Sequence, residues 1–207
     1  MRKISDTYNV SRETFSKLEL YHESLLEWQN KFNLVSKNSI DDAWNRHFID
    51  SIQLFKYIPG NAKNLLDMGS GAGFPGMVLA ILFNDKTPYL KTTLVESINK
   101  KTLYLNHVKE ITSTDVEIIN GRVEQIKNRK FDVVSSRAMT SLVDLLEYAY
   151  PLLNKKGVCV FPKGKSWNEE IKVAKNKWNF DFEAFDSETS EEGKILLIKN
   201  LVLRGKK

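Results

Sequence analysis

The chain has 207 residues, 42% of them hydrophobic, enough for one domain with a real core and at most a small helical extension. Its mean hydropathy is −0.37, no apolar run approaches the ~20 residues of a bilayer span, and no apolar stretch follows Met1-Arg2-Lys3, so neither a membrane anchor nor a secretory signal is expected. Cys159, the single cysteine, excludes an intrachain disulfide and suits a reducing compartment.

The net charge of +5 is mild, but it is unevenly spread. Residues 1–60 carry eight Lys/Arg against eight Asp/Glu; residues 97–130 carry seven against four, and residues 151–207 twelve against eight. A basic second half suits a polyanionic partner, and it equally suits a lysine-rich solvated surface.

In chain order, Ser11 is a helix N-cap, and Phe15, Leu18, Leu25, Leu26 and Phe32 form a stripe at helical spacing over residues 12–31. Ser39 is read as the cap of a second helix, with Asp41 and Asp42 in its first turn and Trp44, His47, Phe48, Ser51, Ile52 and Phe55 on its buried face. Pro59-Gly60 ends it, so residues 1–60 read as a helical cap. From Asn64 short apolar runs alternate with helical segments: strands at Leu65–Met68, Thr92–Glu96, Val116–Ile119, Phe131–Ser135 and Val158–Phe161, helices at Pro75–Phe83, Lys100–Ile111, Ser141–Leu153 and Trp167–Trp178. This alternation predicts an α/β fold with a mostly parallel sheet covered on both faces. Phe180–Phe185 and Lys194–Leu203 have no helix between them and, with Glu191-Glu192-Gly193 as the turn, close the sheet as an antiparallel hairpin. Residues 61–207 therefore read as one unit carrying the 1–60 cap.

The sharpest signal is Asp67-Met68-Gly69-Ser70-Gly71-Ala72-Gly73-Phe74-Pro75-Gly76, a glycine-rich turn at the end of the first strand. Gly69, Gly71 and Gly73 let the backbone take positive φ and let a ligand approach closely. Gly71 to Gly76 also satisfies the dinucleotide pattern G-x-G-x-x-G, so two ligands compete. Asp67 suits the amino group of S-adenosylmethionine and would repel a pyrophosphate, and Pro75 removes an N–H donor that a phosphate would use. Glu96 ends the second strand 20 residues after Gly76, the offset of a ribose-binding acid, which fits either ligand.

With the glycine loop placed, the flanking motifs become readable: Trp28 to Leu34 (WQNKFNL), Arg46-His47-Phe48-Ile49-Asp50-Ser51, Gly121-Arg122-Val123-Glu124, Ser136-Arg137-Ala138 and Lys163-Gly164. In this order the chain resembles the ribosomal RNA small subunit methyltransferase G family, also called glucose-inhibited division protein B, from about Trp28 to Ile198. The resemblance implies a Rossmann-like class I methyltransferase that carries a methyl group from S-adenosylmethionine to N7 of a guanine in the 530 loop of 16S rRNA. It implies a bacterial cytoplasmic enzyme that acts on 16S rRNA in the 30S subunit or an assembly intermediate; the sequence itself, with scattered histidines and nothing that suggests an obligate dimer, adds the expectation of a monomer with no membrane partner and no metal. Carried over position by position, donor binding falls on Gly69, Phe74, Val123, Glu124 and Arg137. Glu96 stands where many relatives have aspartate, and Gly121 where they often carry a bulkier polar residue.

Guanine N7 has an in-plane lone pair and no proton, so attack on a sulfonium methyl needs no general base; positioning alone supplies up to ~7–11 kcal/mol in well-oriented systems. Arg137, after the fourth strand, is the catalytic candidate. It holds the donor's carboxylate, guanine O6 or a phosphate and leaves N7 free, or else it pairs with Asp132 or Asp144 on the surface. Arg46, His47 and Lys163 are candidates for RNA contact. Arg46 with Asp50 at i, i+4 also reads as a plain helix pair, His47 as a packed core histidine, and Lys163 as a solvated lysine. Phe74 either closes over the donor, stacks on the target base or packs against the cap.

Overall fold

The computed structural model describes residues 8–205. Helix α1 (Arg12–Gln29) starts where Ser11 Oγ accepts the Thr14 N–H at 3.1 Å, with Glu13 in its first turn favouring the dipole. It buries Leu18, Tyr21 and Leu25, one face of a 3.6-residue repeat. The second cap helix is not continuous. A short α2 (Lys37–Ile40) is followed by a π-helical segment (Trp44–Ile49), α3 (Asp50–Ile52) and a 3-10 turn (Gln53–Tyr57). Ser39 is therefore not its cap. It lies inside α2, buried, with its hydroxyl bonded to Ser36 O (2.8 Å) and to His47 Nε2 (2.9 Å). His47, Phe48, Ser51 and Ile52 are buried as the spacing requires, while Trp44 and Phe55 are only partly covered.

The strands are β1 (Asn64–Met68), β2 (Lys91–Glu96), β3 (Glu117–Asn120), β4 (Phe131–Ser135), β5 (Leu153–Lys163), β6 (Trp178–Asp186) and β7 (Lys194–Leu203), in the order β3-β2-β1-β4-β5-β7-β6. The first five are parallel, with Leu65 beside Thr92 and Leu66 beside Val134; β7 runs antiparallel between β5 and β6. The helices that cross over are α4 (Gly76–Lys86), α5 (Asn99–Ile111), α6 (Leu142–Ala149) and α7 (Trp167–Lys177). Helix α6 stops short of its expected end because Leu153 already pairs with Phe131 as the start of β5.

Two cores flank the sheet. On one side Tyr21, Leu25 and Phe48 of the cap pack with Leu79 of α4, Tyr104 of α5 and Leu65 of β1; on the other Leu145, Leu146, Ile171 and Ala174 of α6 and α7 pack with Leu66 and Phe161. Every residue of α4 from Gly76 to Phe83 is buried, because the cap covers the side that the sheet does not. The cap thus shares its core with the sheet.

Candidate active site at the glycine loop

The carboxyl ends of β1, β2 and β4 converge where the strand order reverses, the place where open α/β sheets bind ligands. A cleft of ≈ 370 Å³ opens there between the glycine loop, the cap and the β4–α6 loop. Gly69, Gly71 and Gly73 have φ of +63°, +59° and +102°, which L side chains rarely adopt, but they serve different ends. At Gly71 a Cβ would meet nothing closer than 4.0 Å, so that backbone faces open space in the cleft. At Gly73 it would strike Tyr21 Oη and Met77 Cβ (2.9 Å), and at Gly76 it would strike Leu94 and Asp67. The first position leaves room for a ligand; the other two let the loop be packed from behind.

Asp67 sits behind the loop, not in the cleft. It is fully buried, its Oδ2 accepting the Gly76 N–H (3.1 Å) and its Oδ1 the Ser135 hydroxyl (2.8 Å). Burial pushes its pKa up to about 6, opposed by hydrogen bonds from Ser135, Ser70 and Gly76. The carboxylate thus occupies the helix N-terminus that a dinucleotide enzyme keeps for pyrophosphate. Glu96 is also buried, and its two oxygens accept the backbone N–H groups of Gly71 and Ile98, both at 2.8 Å. Each oxygen keeps a second lone-pair site, so the acid tethers the loop and retains capacity for ribose hydroxyls.

Arg137 pairs with neither Asp132 nor Asp144. Its Nη1 donates to Arg46 O (2.6 Å) and Asp50 Oδ2 (3.0 Å), and its Nη2 to His47 Nδ1 (2.8 Å). Three of five N–H donors are used, leaving Nε–H and one Nη2–H. Asp50, in turn, accepts from the Thr189 hydroxyl (2.7 Å) and the Gln53 amide (3.0 Å), so the β6–β7 turn helps to aim the guanidinium. The i, i+4 pair of Arg46 with Asp50 does not form; Arg46 has no hydrogen-bonding or ionic partner for its side chain among the described residues. Because arginine only donates, His47 Nδ1 must carry a lone pair, and Nε2–H then faces Ser39. Burial first, then the charges of Arg137 and Arg46, hold the His47 pKa down to about 3.

Phe74 is buried against the cap, stacked on Tyr21 (centroids 5.2 Å) and His47 (5.0 Å), with the Arg137 guanidinium 5.2 Å from its ring centre. The Tyr21 hydroxyl donates to Ala72 O. Sequence reasoning missed Tyr21, whose place in the apolar stripe of α1 gave no sign of a polar task. It also missed Lys101, a lysine of α5 beside Gly71. Val123 and Glu124 lie outside this cleft, in a 3-10 turn after β3, Val123 buried and Glu124 exposed, both lining a second cleft of ≈ 540 Å³. Lys163 is only 11% exposed, is paired with Glu170 at 2.6 Å, and donates to Thr140 O. Cys159 is buried in β5, its thiol pKa raised by burial.

Sheet order and glycine loop define the class I methyltransferase fold. A SAM dependent methyltransferase from Aquifex aeolicus superposes with a TM-score of 0.59 at 13% identity, covering 80% of this chain and 96% of that one. The N-methyltransferase NodS from Bradyrhizobium japonicum, solved in complex with S-adenosyl-l-homocysteine, gives 0.53 at 12% identity, covering 75% and 86%. The family profile for rRNA small subunit methyltransferase G matches residues 14–197. The ribosomal RNA small subunit methyltransferase G of Paramagnetospirillum magneticum is 41% identical over 197 residues, 95% of this chain and 93% of that protein. The chain belongs to the rRNA small subunit methyltransferase G family. Among the described residues no helix is long and apolar enough to cross a membrane.

Proposed function

We propose that this protein transfers a methyl group from S-adenosylmethionine to N7 of a guanine in the 530 loop of 16S rRNA, acting as a monomer in the bacterial cytoplasm on the 30S subunit or its precursor. The observation that carries the choice of donor over a dinucleotide is the Asp67 carboxylate on the Gly76 N–H, which closes the helix N-terminus to a phosphate. The donor has no phosphate to place there, and when bound it supplies an electrophilic methyl on sulfonium.

The residues present fit such a group. Gly69, Gly71 and Gly73 shape the bed, with Gly71 facing the open cleft, and Glu96 accepts from the ribose through its remaining lone pairs. Asp67 acts indirectly, through the loop it fixes, and Phe74 through its stack with Tyr21 and His47. For Val123 and Glu124, which line the second cleft after β3, only the family resemblance supports a donor contact. Arg137 presents its two unused N–H groups to the donor carboxylate or to guanine O6, and leaves N7 unblocked. His47, neutral and bound at both nitrogens, orients Arg137; it is not a base, and N7 needs none. Arg46 contacts RNA. For Lys163 the pairing with Glu170 favours holding the β5–α7 connection over meeting a phosphate. The cap (1–60) and the 61–207 unit work as one body.

The test is chemical cleavage at 7-methylguanosine in 16S rRNA from cells with and without the protein, paired with thermal shift by S-adenosylhomocysteine and by NAD. Cleavage at one guanine that depends on the protein, with stabilisation by the nucleoside thioether alone, is expected. Arg137→Ala should lower methylation at least tenfold; wild-type methylation together with wild-type donor affinity would remove Arg137 from the mechanism.

A further inference from the structure

Most of the lysine-rich stretch over residues 151–207 is already paired: among its described cations only Lys155, Lys156, Lys175 and Arg204 hold no carboxylate. Lys163, Lys165, Lys172, Lys177, Lys194 and Lys199 each hold a carboxylate partner, on Glu170, Glu192, Glu169, Glu147, Asp186 and Glu183 respectively. A cation already matched by a neighbouring carboxylate offers less field to a polyanion, and displacing the carboxylate costs the pair.

The cleft is the reverse case. Its lining includes Arg46, Lys101 and Arg137 and not one Asp or Glu. Arg137 is matched by Asp50, but the side chains of Arg46 and Lys101 have no carboxylate partner among the described residues. Arg46 comes from the cap and Lys101 from the first turn of α5, next to Gly71. Lys100 precedes it, its ammonium 5.5 Å from the centre of the Phe32 ring, and exposed Lys37 begins α2, whose Ser39 lines the cleft. The opening turn of α5 carries two lysines and no acid, an arrangement that opposes the helix dipole; the Glu96 carboxylate on the Ile98 N–H offsets part of that cost, and Lys101 has no carboxylate partner among the described residues. The field is felt inside, since the Arg46 and Arg137 charges help to hold His47 neutral.

We propose that Arg46 and Lys101 bind the phosphodiester groups flanking the nucleotide to be methylated, so that the RNA strand enters over the cap side of the cleft and not over the C-terminal hairpin. This rests on the methyl-transfer reading and adds the surface and direction of approach. Lys37 and Lys100 extend the same stripe outward. An RNA strand lying there brings its base to the glycine loop and keeps its backbone over unmatched charge, with affinity dominated by released counterions.

The experiment compares the full-length protein with Arg46→Gln, Lys101→Gln, the double variant, and a Lys155→Gln/Lys156→Gln control on the exposed start of β5. Filter binding of unmethylated 16S rRNA is measured across salt, with S-adenosylhomocysteine affinity by calorimetry on the same samples. Each cleft substitution should lower the slope of log K against log salt by about 1 and weaken RNA binding severalfold, with nucleoside affinity within twofold of wild type and the control unchanged. The proposal is overturned if the double variant keeps wild-type RNA affinity and slope, if the control carries the loss, or if nucleoside affinity falls in step with RNA affinity. A wild-type protein that binds no rRNA at all would instead sink the RNA reading itself.

Discussion

His47 shows how little a residue type says about its task. Nδ1 accepts a hydrogen bond from Arg137 and Nε2–H donates one to Ser39, so the ring is fixed in one tautomer and has no spare site for catalysis. With its pKa down at about 3 against an ordinary 6.5, the folded state binds fewer protons than the unfolded one between those values, and this residue's contribution to stability falls as pH drops through that window. Asp67 works in the opposite sense. Raised from 3.8 to about 6, it stabilises the fold on acidification over that interval. His47→Gln removes the first effect and keeps the second. Its stability relative to wild type should therefore climb below pH 6.5, by at most ~1.4 kcal/mol per pH unit, in parallel urea titrations at pH 7.5, 6 and 5. A pH-independent difference would show that the fold leaves the His47 pKa at its ordinary value. The identity of these two residues was plain in the sequence; their protonation was not, because it depends on Arg137 and Ser135, which lie 90 and 68 positions away.

Among the elements, strands were the easiest to read. Apolar runs bounded by turn residues located all seven, but the start of β5 lies five residues before its expected Val158, because the exposed Lys155-Lys156 stretch carries no apolar signal. The second cap helix was harder. Its apolar face repeats at helical spacing, yet the chain breaks after Ile40 and resumes with a π-helical turn, which a smooth periodicity cannot register. The contact between α1 and the glycine loop was invisible as well. Tyr21 is one apolar-face residue among several until Ala72 is seen to accept its hydroxyl. Tyr21→Phe leaves a buried carbonyl without its donor, which should cost about 1–3 kcal/mol by denaturant titration. If the grip also shapes the ligand bed, S-adenosylhomocysteine affinity should fall severalfold, whereas Leu18→Ala, equally buried in the same helix but away from the loop, should lose stability with affinity retained. Equal affinity losses in both variants would reduce Tyr21 to ordinary packing.

At the scale of the whole molecule, the charge count pointed to the second half and the structure points to the cap side of the cleft. A count along the chain cannot see pairing, and it is pairing that decides which cations are available. The sequence reads residues 1–60 as a cap and not as an independent domain, and Leu18, Tyr21, Leu25 and Phe48 share one apolar cluster with Leu65, Leu79 and Tyr104. A single cooperative unfolding transition is expected, with calorimetric and van't Hoff enthalpies in agreement. The isolated 61–207 segment, with the buried α4 uncovered, should not yield a soluble folded species. Two resolved transitions would make the cap a domain of its own.

The hydroxyl of Tyr21 joins the first helix to the bend that lies over the ligand bed. Damage at Tyr21 should then resemble damage to the loop itself: either lesion would leave the same rRNA unmethylated, and a phenotype alone would not reveal which end of that one hydrogen bond had been lost.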